Sequence, residues 1–125
     1  MLNPEINPWE QYINVFKALS DTTRLKIMWL LLSIDSKISV SEIIYVLGEN
    51  QYNVSKHLRV LKNADLIYEK KDGKWTFYHF RTKDSDFDVL IRKTVMAIPN
   101  EMIMDEISRC KERLYLRANC DDIGS

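Results

Sequence analysis

Residues Gly48 to Lys62 are the stretch that most narrows what this chain can fold into: Gly-Glu-Asn-Gln-Tyr-Asn-Val-Ser-Lys-His-Leu-Arg-Val-Leu-Lys. They read as a turn followed by a short amphipathic helix. Val54, Leu58 and Leu61 recur at helical spacing and form an apolar stripe. Gln51, Asn53, Ser55, Lys56 and Arg59 fall mostly off that stripe and face water. Side chains of these types hydrogen-bond base edges and phosphates. Asn50 is placed to cap the helix, its side-chain oxygen accepting from an orphan backbone N–H. Dipole and unpaired N–H groups make such an end attractive to a phosphate. An ordinary surface helix of mixed polar residues has the same pattern, so the flanking segments decide.

At 125 residues the chain holds one domain with an appended helix or two. Its 46% apolar content supplies a core, and no apolar run approaches a membrane span. Met1-Leu2-Asn3-Pro4-Glu5 has neither a basic n-region nor an apolar h-region. A cytoplasmic protein with no membrane partner is expected. Two cysteines, Cys110 and Cys120, make no disulfide framework. The net charge is zero but unevenly spread. Residues 1–49 carry net −2 and residues 84–125 net −3, whereas residues 50–83 hold eight bases against three acids, net +5. The positive charge sits around the Gly48–Lys62 stretch, where a duplex-binding element needs it.

Residues 1–8 read as an arm, with Pro4 and Pro8 discouraging an early helix. A first helix is predicted from about Trp9 to Leu19. Its broad apolar face of Trp9, Tyr12, Ile13, Phe16 and Leu19 is wide enough for both a core and a partner. Ser20-Asp21-Thr22-Thr23 offers three N-caps for a second helix, Arg24 to about Ser33, with Leu25, Met28, Trp29, Leu31 and Leu32 as its buried side. After a polar connection, Ser39-Val40-Ser41-Glu42 is a capping box for a short helix, Val40 to Leu47, ending at Gly48 as a left-handed C-cap. With the helix that follows, this forms a helix–turn–helix candidate.

Beyond Asn63-Ala64-Asp65, two β-rich runs flank Lys71-Asp72-Gly73-Lys74, and Asp-Gly between such runs signals a hairpin. A basic hairpin in this place is a wing. From Asp84 the chain turns helical again, with Phe87, Leu90, Ile91, Thr94, Val95 and Ile98 on an apolar side and Pro99 as a break. Asn100 is expected to cap a last helix, Glu101 to about Ala118. There Ile103, Ile107, Cys110 and Leu114 recur at heptad-like spacing. A single winged module has little core left for that stripe, so these end helices are expected to pair with helix one across a two-fold dimer.

The chain resembles the ArsR/SmtB family of bacterial and archaeal winged-helix repressors over roughly residues 9–98. The matching segments are Phe16 to Ile27, Gln51 to Leu61, Ala64-Asp65-Leu66-Ile67 and Asp72 to Tyr78. Glu112-Arg113-Leu114-Tyr115-Leu116-Arg117 also looks like the arginine-rich C-terminal helix of the arsenic-type branch. The resemblance implies a homodimer that represses transcription from an imperfect inverted repeat and is released by an inducer. Two departures stand out: Thr22 where the family commonly has Pro, and Asp65 where it commonly has Gly. Asp tolerates the left-handed conformation better than most residues, so the same turn is expected there.

The resemblance also implies an effector site, and the residues narrow it. Where arsenic and cadmium sensors of the family carry Cys-Val-Cys in helix three, this chain has Ser39-Val40-Ser41, and hydroxyls are poor ligands for soft ions. The family's zinc site of Asp/His pairs on the dimerisation helix is also unsupported, because the two histidines are His57 and His79. Asp84, Asp86 and Asp88 suit dipole-favoured helix capping better than a hard-metal site. Cys110 and Cys120 remain as effector candidates for an oxidant, a persulfide or a thiophilic metalloid. Ten residues on a continuous helix put them about 15 Å apart along the axis, too far to chelate one ion unless the helix frays before Cys120 or thiols of two subunits meet. Cys110, within the apolar stripe, is better read as a small buried hydrophobe, and Cys120, beside Asp121 and Asp122, as exposed.

The fold expected is mostly α with a β-hairpin wing: a winged helix–turn–helix in residues 9–98, dimerising through N- and C-terminal helices, with residues 99–125 as C-terminal helix and tail. The candidate DNA contacts are Gln51, Tyr52, Asn53, Ser55, Lys56, His57 and Arg59 on the recognition helix and Lys70, Lys71 and Lys74 on the wing. His57 suits a phosphate contact or an internal hydrogen bond equally. The partners expected are a double-stranded operator and a second copy of the chain. No cofactor is required, a thiophilic metal or metalloid being conceivable only as inducer. The alternative is a winged-helix module that binds a protein instead of DNA, against which the clustered +5 argues. No nucleophile–base–orienter set or phosphate-cradling glycine loop is present, so an enzyme is not expected.

Overall fold

The computed structural model describes residues 7–34 and 37–124, with side chains as far as Ala118. Six α-helices and a three-stranded antiparallel sheet follow in the order α1 Glu10–Leu19, α2 Thr22–Ser33, β1 Ile38–Ser39, α3 Val40–Leu47, α4 Gln51–Asn63, β2 Ile67–Asp72, β3 Trp75–Phe80, α5 Asp86–Met96, a 3-10 turn Asn100–Met102 and α6 Met104–Gly124. The residues 1–6 of the expected arm lie outside the described residues.

Helix α2 is the centre of the molecule, in contact with α1, α4, α5 and β3. Its N-cap is Asp21, whose carboxylate accepts from the Arg24 N–H at 3.1 Å, so the helix begins two residues before the predicted Arg24. The expected buried side is also corrected. Ile27, Met28, Trp29 and Leu30 are buried in succession, while Leu25, Leu31 and Leu32 are half-buried. A helix apolar all round is one packed on several sides, and the sequence pattern named only one of them. Trp29 Nε1 donates to the Ile98 carbonyl at 3.3 Å and so ties α2 to the end of α5.

Helix α3 is built by the expected capping box. Ser39 Oγ accepts from the Glu42 N–H at 3.2 Å, and Glu42 Oε1 accepts from the Ser39 N–H at 2.8 Å. Gly48 closes the helix at φ +66°. The sequence reading did not show β1. Its two residues pair with the wing, Ile38 opposite Tyr78 and Ser39 opposite Phe77, so the sheet order is β1-β3-β2. A two-residue strand is too short to carry a periodicity. The hairpin itself is as expected, Asp72 opposite Trp75 around Gly73-Lys74, with Gly73 at φ +61°. Asp65 adopts φ +62°, the left-handed turn expected in place of the family's glycine.

Two corrections concern the termini. On α1, Val15 and Ala18 enter the core, and the wide face of Trp9, Tyr12, Ile13 and Phe16 stays outside. Trp9 is 70% exposed, and Tyr12 and Phe16 meet the Phe87 ring of α5 edge-on, at 4.9 and 5.7 Å between centroids. At the other end Asn100 does not cap the last helix. It opens a 3-10 turn after Pro99, and α6 starts at Met104. The α6 stripe expected to face a dimer partner turns inward: Ile103 and Cys110 are buried, Ile107 and Leu114 half-buried, and α6 packs on α3.

Candidate nucleic-acid interface

Helix α4 buries Val54, Leu58 and Leu61 against the core and turns its N-terminal half outward. Asn50 Oδ1 accepts from the Asn53 N–H at 2.8 Å, which satisfies one of the orphan donors of the first turn. Gln51, Tyr52, Lys56 and Arg59 are exposed, Tyr52 at 77%. Asn53 and Ser55 are half-buried, and the Asn53 amide donates to Glu49 Oε2 at 3.4 Å, so the two face water less than the stripe implied.

Of the two roles that suited His57, the structure displays the internal hydrogen bond. Its Nδ1 lies 3.0 Å from Arg24 Nη1 and 3.7 Å from Asp21 Oδ2. A guanidinium only donates, so Nδ1 is the acceptor and the ring proton sits on Nε2. The same guanidinium donates from Nε to the Ala18 carbonyl at 2.6 Å and from Nη2 to the Lys17 carbonyl at 3.4 Å. Arg24 therefore links the C-terminal turn of α1 to the middle of α4. In the sequence Arg24 stands out only as part of the family-like Phe16–Ile27 segment. Its partner is 33 residues away, and no local spacing announces it. Burial works to raise the Asp21 carboxyl, but the Arg24 and Thr23 N–H groups and the Arg24 guanidinium outweigh it and hold Asp21 below its ordinary value.

The basic residues of this region fall into two groups. Lys62 pairs with Glu69 at 2.7 Å, Arg81 with Asp65 at 2.8 Å, and Lys83 with Asp65 as well. Lys56, Arg59, Lys70, Lys71 and Lys74 are exposed and enter no ion pair among the described residues. These five are the cations predicted to meet DNA. At the wing, Lys74 Nζ stands 5.9 Å from the centre of the Trp75 ring, and Trp75 stacks on Phe77 at 6.3 Å, a packing role that leaves the ring partly exposed.

The effector candidates are placed differently. Ser39 is buried with its hydroxyl committed to the α3 cap, and Ser41 is exposed. Cys110 is fully buried, and burial, with the Glu42 carboxylate behind it, pushes its thiol up to about 11. The side chain of Cys120 lies outside the described residues. No cluster of metal-ligating side chains occurs among the described residues. Ser85 caps α5, its Oγ accepting from the Asp88 N–H at 3.3 Å, which gives Asp86 and Asp88 the first-turn position expected of them.

A helix–turn–helix with a basic hairpin beside it, both carrying unpaired cations, defines a winged helix–turn–helix DNA-binding protein. The sequence pattern of the arsR family of bacterial regulatory proteins matches residues 21–69. A transcriptional regulator of the helix–turn–helix type from Methanocaldococcus jannaschii, MJ1325, itself uncharacterized, is 38% identical over 71 residues, 57% of this chain and 79% of that protein. The arsenical resistance operon repressor of Escherichia coli is 39% identical over 66 residues, 53% of this chain and 56% of the repressor. Among solved structures, the homodimeric winged helix–turn–helix DNA-binding domain of Mb0332 from Mycobacterium bovis shares the fold at a TM-score of 0.59 and 22% identity, over 80% of this chain and 93% of that one. The chain belongs to the arsR family of transcriptional regulators, which are not enzymes.

Proposed function

We propose that the chain works in the cytoplasm as a homodimeric repressor that binds an imperfect inverted repeat and lets go when an inducer arrives. The observation that carries the DNA half of this reading is the separation of cations. Among the described residues Lys56, Arg59, Lys70, Lys71 and Lys74 are held out unpaired, while Lys62 pairs with Glu69 and Arg81 and Lys83 share Asp65. Gln51, Tyr52, Asn53, Ser55 and Lys56 then read base edges or nearby phosphates, and Arg59 with the three wing lysines holds the backbone. His57 serves the interface through Arg24. Dimerisation uses the face that α1 leaves outside, Trp9, Tyr12, Ile13 and Phe16, together with α5, whose Leu90 is also exposed. The M. bovis neighbour is homodimeric, which supports dimerisation itself, and the exposed α1 aromatics are what point to this face. Residues 9–98 form the DNA-binding and dimerising unit, and α6 braces it through contacts made as far as Arg117. Among the described residues no helix is long and apolar enough to cross a membrane.

The test is fluorescence anisotropy on a duplex selected from a random-sequence pool with the full chain, titrated across salt. Lys71→Ala is expected to weaken binding to every sequence and flatten the salt slope by about one unit. Gln51→Ala is expected to relax preference at one base pair by about 1–3 kcal/mol. A chain that selects no sequence, or binds without salt dependence, would favour the protein-binding alternative. A thiol-directed inducer has to open the α3–α6 contact before it reaches Cys110. Titrating the complex with arsenite and with hydrogen peroxide, using Cys110→Ala and Cys120→Ala beside wild type, decides whether either thiol takes part; identical responses in all three would exclude it.

A further inference from the structure

Helix α6 lies outside the matched family segment, which ends at residue 69. It meets α3 through three arginines spaced four apart, and so on one face. Arg109 Nε donates to the Val46 carbonyl at 2.9 Å, one of the last carbonyls of α3 that the helix cannot satisfy itself. Arg113 lies 5.1 Å from the centre of the Tyr45 ring. Arg117 reaches the other end of α3, where its Nη1 donates to Glu42 Oε1 at 2.6 Å. The two helices therefore run antiparallel. The rise from Arg109 to Arg117 is about 12 Å, which equals the length of the eight-residue α3. Arg109 stands at the C-terminus of α3, where its dipole favours a cation, and Glu42 in the first turn offsets Arg117 at the other end.

Arg117 does more than pair with a buried carboxylate. Glu42 is 2% exposed, and the oxygen that accepts from Arg117 is the one that accepts from the Ser39 N–H. Arg117 Nη2 donates to the Lys37 carbonyl at 3.1 Å, immediately before β1. The guanidinium plane stands 5.5 Å from the centre of the Phe77 ring on β3. One side chain thus holds the start of α3, the entry to β1 and the inner strand of the wing.

We propose that Arg117 is a positioning residue for DNA binding: by clamping α3 and β3 on one guanidinium, α6 fixes the wing relative to α3 and, because α3 packs on α4, relative to the recognition helix. The proposal rests on the reading that both arms contact one duplex. A duplex presents groove and phosphates at a fixed spacing, so specific binding needs both arms held in one geometry, whereas non-specific attraction needs only their charge. Lysine cannot replace this group: it keeps the charge opposite Glu42 but lacks the planar fork that reaches Lys37 while standing over Phe77.

The experiment compares wild type, Arg117→Lys and the double variant Glu42→Gln with Arg117→Met, which avoids leaving a charged carboxylate buried without its partner. Each is measured against the selected duplex and a scrambled one, and by amide hydrogen exchange on the full chain. Both variants are expected to stay folded and to bind the selected duplex weaker by about tenfold or more. Binding to the scrambled duplex should stay within about twofold of wild type with the same salt slope, because the unpaired cations are untouched. Exchange should quicken at Ile38, Ser39 and Phe77 as well as along α6. Wild-type discrimination by Arg117→Lys, or quickening confined to residues 104–124, overturns the proposal. If wild type itself shows no preference between duplexes, the operator reading fails, and the clamp then stands or falls on the exchange at Ile38, Ser39 and Phe77 alone.

Discussion

At the scale of single residues the structure turns on what a polar group has for a partner. His57 accepts from a guanidinium that also serves two α1 carbonyls, so replacing it has different costs according to what replaces it. His57→Leu leaves a part-buried donor of Arg24 unpaired and is expected to destabilise by about 1–3 kcal/mol, measured by urea unfolding. His57→Gln offers an acceptor again and should recover much of that loss; equal costs for the two would mean that the hydrogen bond contributes little. Cys110 is the opposite case, a thiol buried in the apolar core with no hydrogen-bond partner among the described residues. Cys110→Ser puts a hydroxyl into that apolar contact and should cost about 1–3 kcal/mol. In the folded wild type, with its thiol pushed up to about 11, Cys110 should react slowly with a disulfide reagent at neutral pH and fast in denaturant. A fast reaction in the native state would contradict the burial.

At the scale of elements, the turn between α3 and α4 is made by backbone conformation and one cap. Gly48 has φ +66°, and an added Cβ would meet nothing within 4 Å. Gly48→Ala therefore has no steric clash to relieve, only the left-handed backbone penalty of roughly 1–2 kcal/mol. Gly48→Asn should cost less, since Asn enters that region more readily. Thermal unfolding of the two variants checks the ordering. The cap two residues later matters twice. Asn50→Ala removes the acceptor for the Asn53 N–H and is expected to destabilise by about 1 kcal/mol. It also frays the helix end that carries Gln51 and Tyr52.

At the scale of the whole molecule, ion pairs join elements distant in sequence, and their acids set the response to pH. The Lys62 hydrogen bond holds Glu69 below its ordinary 4.5, with burial opposing. For Glu106 burial works upward, but the hydrogen bond from Lys26 on α2 prevails and holds the carboxyl low. Asp21 is lowered from 3.8 as well. A carboxyl lowered by folding gives stability that is complete above its unfolded value and is lost as the pH falls through that value and below. The contribution of these carboxylates to the urea midpoint should therefore be level from neutral pH to about 5 and decline at lower pH. Glu106→Gln should shrink the decline while lowering the neutral plateau. A midpoint that rises on acidification would refute the assignment. The exposed α1 face yields a second expectation at this scale: Ile13→Glu should shift the chain toward monomer by about tenfold or more in sedimentation equilibrium. An undisturbed dimer would place the interface elsewhere.

Much of the helix–turn–helix and wing was legible in the sequence because it is built from contacts within a few residues. Ser39 with Glu42, Gly48, Asn50 with Asn53, Asp65 in the left-handed region and Asp72-Gly73 are each decided by backbone geometry over one turn. The apolar stripe of α4 was legible for a related reason, since a helix fixes which residues share a face. What a face packs against is not local, and there the reading failed or stayed open. The four successive buried residues of α2, the outward turn of the α1 aromatics and the inward turn of the α6 stripe depend on which other elements arrive, and only the assembled chain decides that. The same holds for charge. The sequence located the net +5 of residues 50–83, but only the fold separated the five unpaired cations from the three that pair with Glu69 and Asp65. Sequence alone thus determined the shape of the DNA-reading unit. Tertiary structure decided how that unit is braced, because Arg24 with His57 and Arg117 with Glu42 are 33 and 75 residues apart, and no periodicity spans such distances.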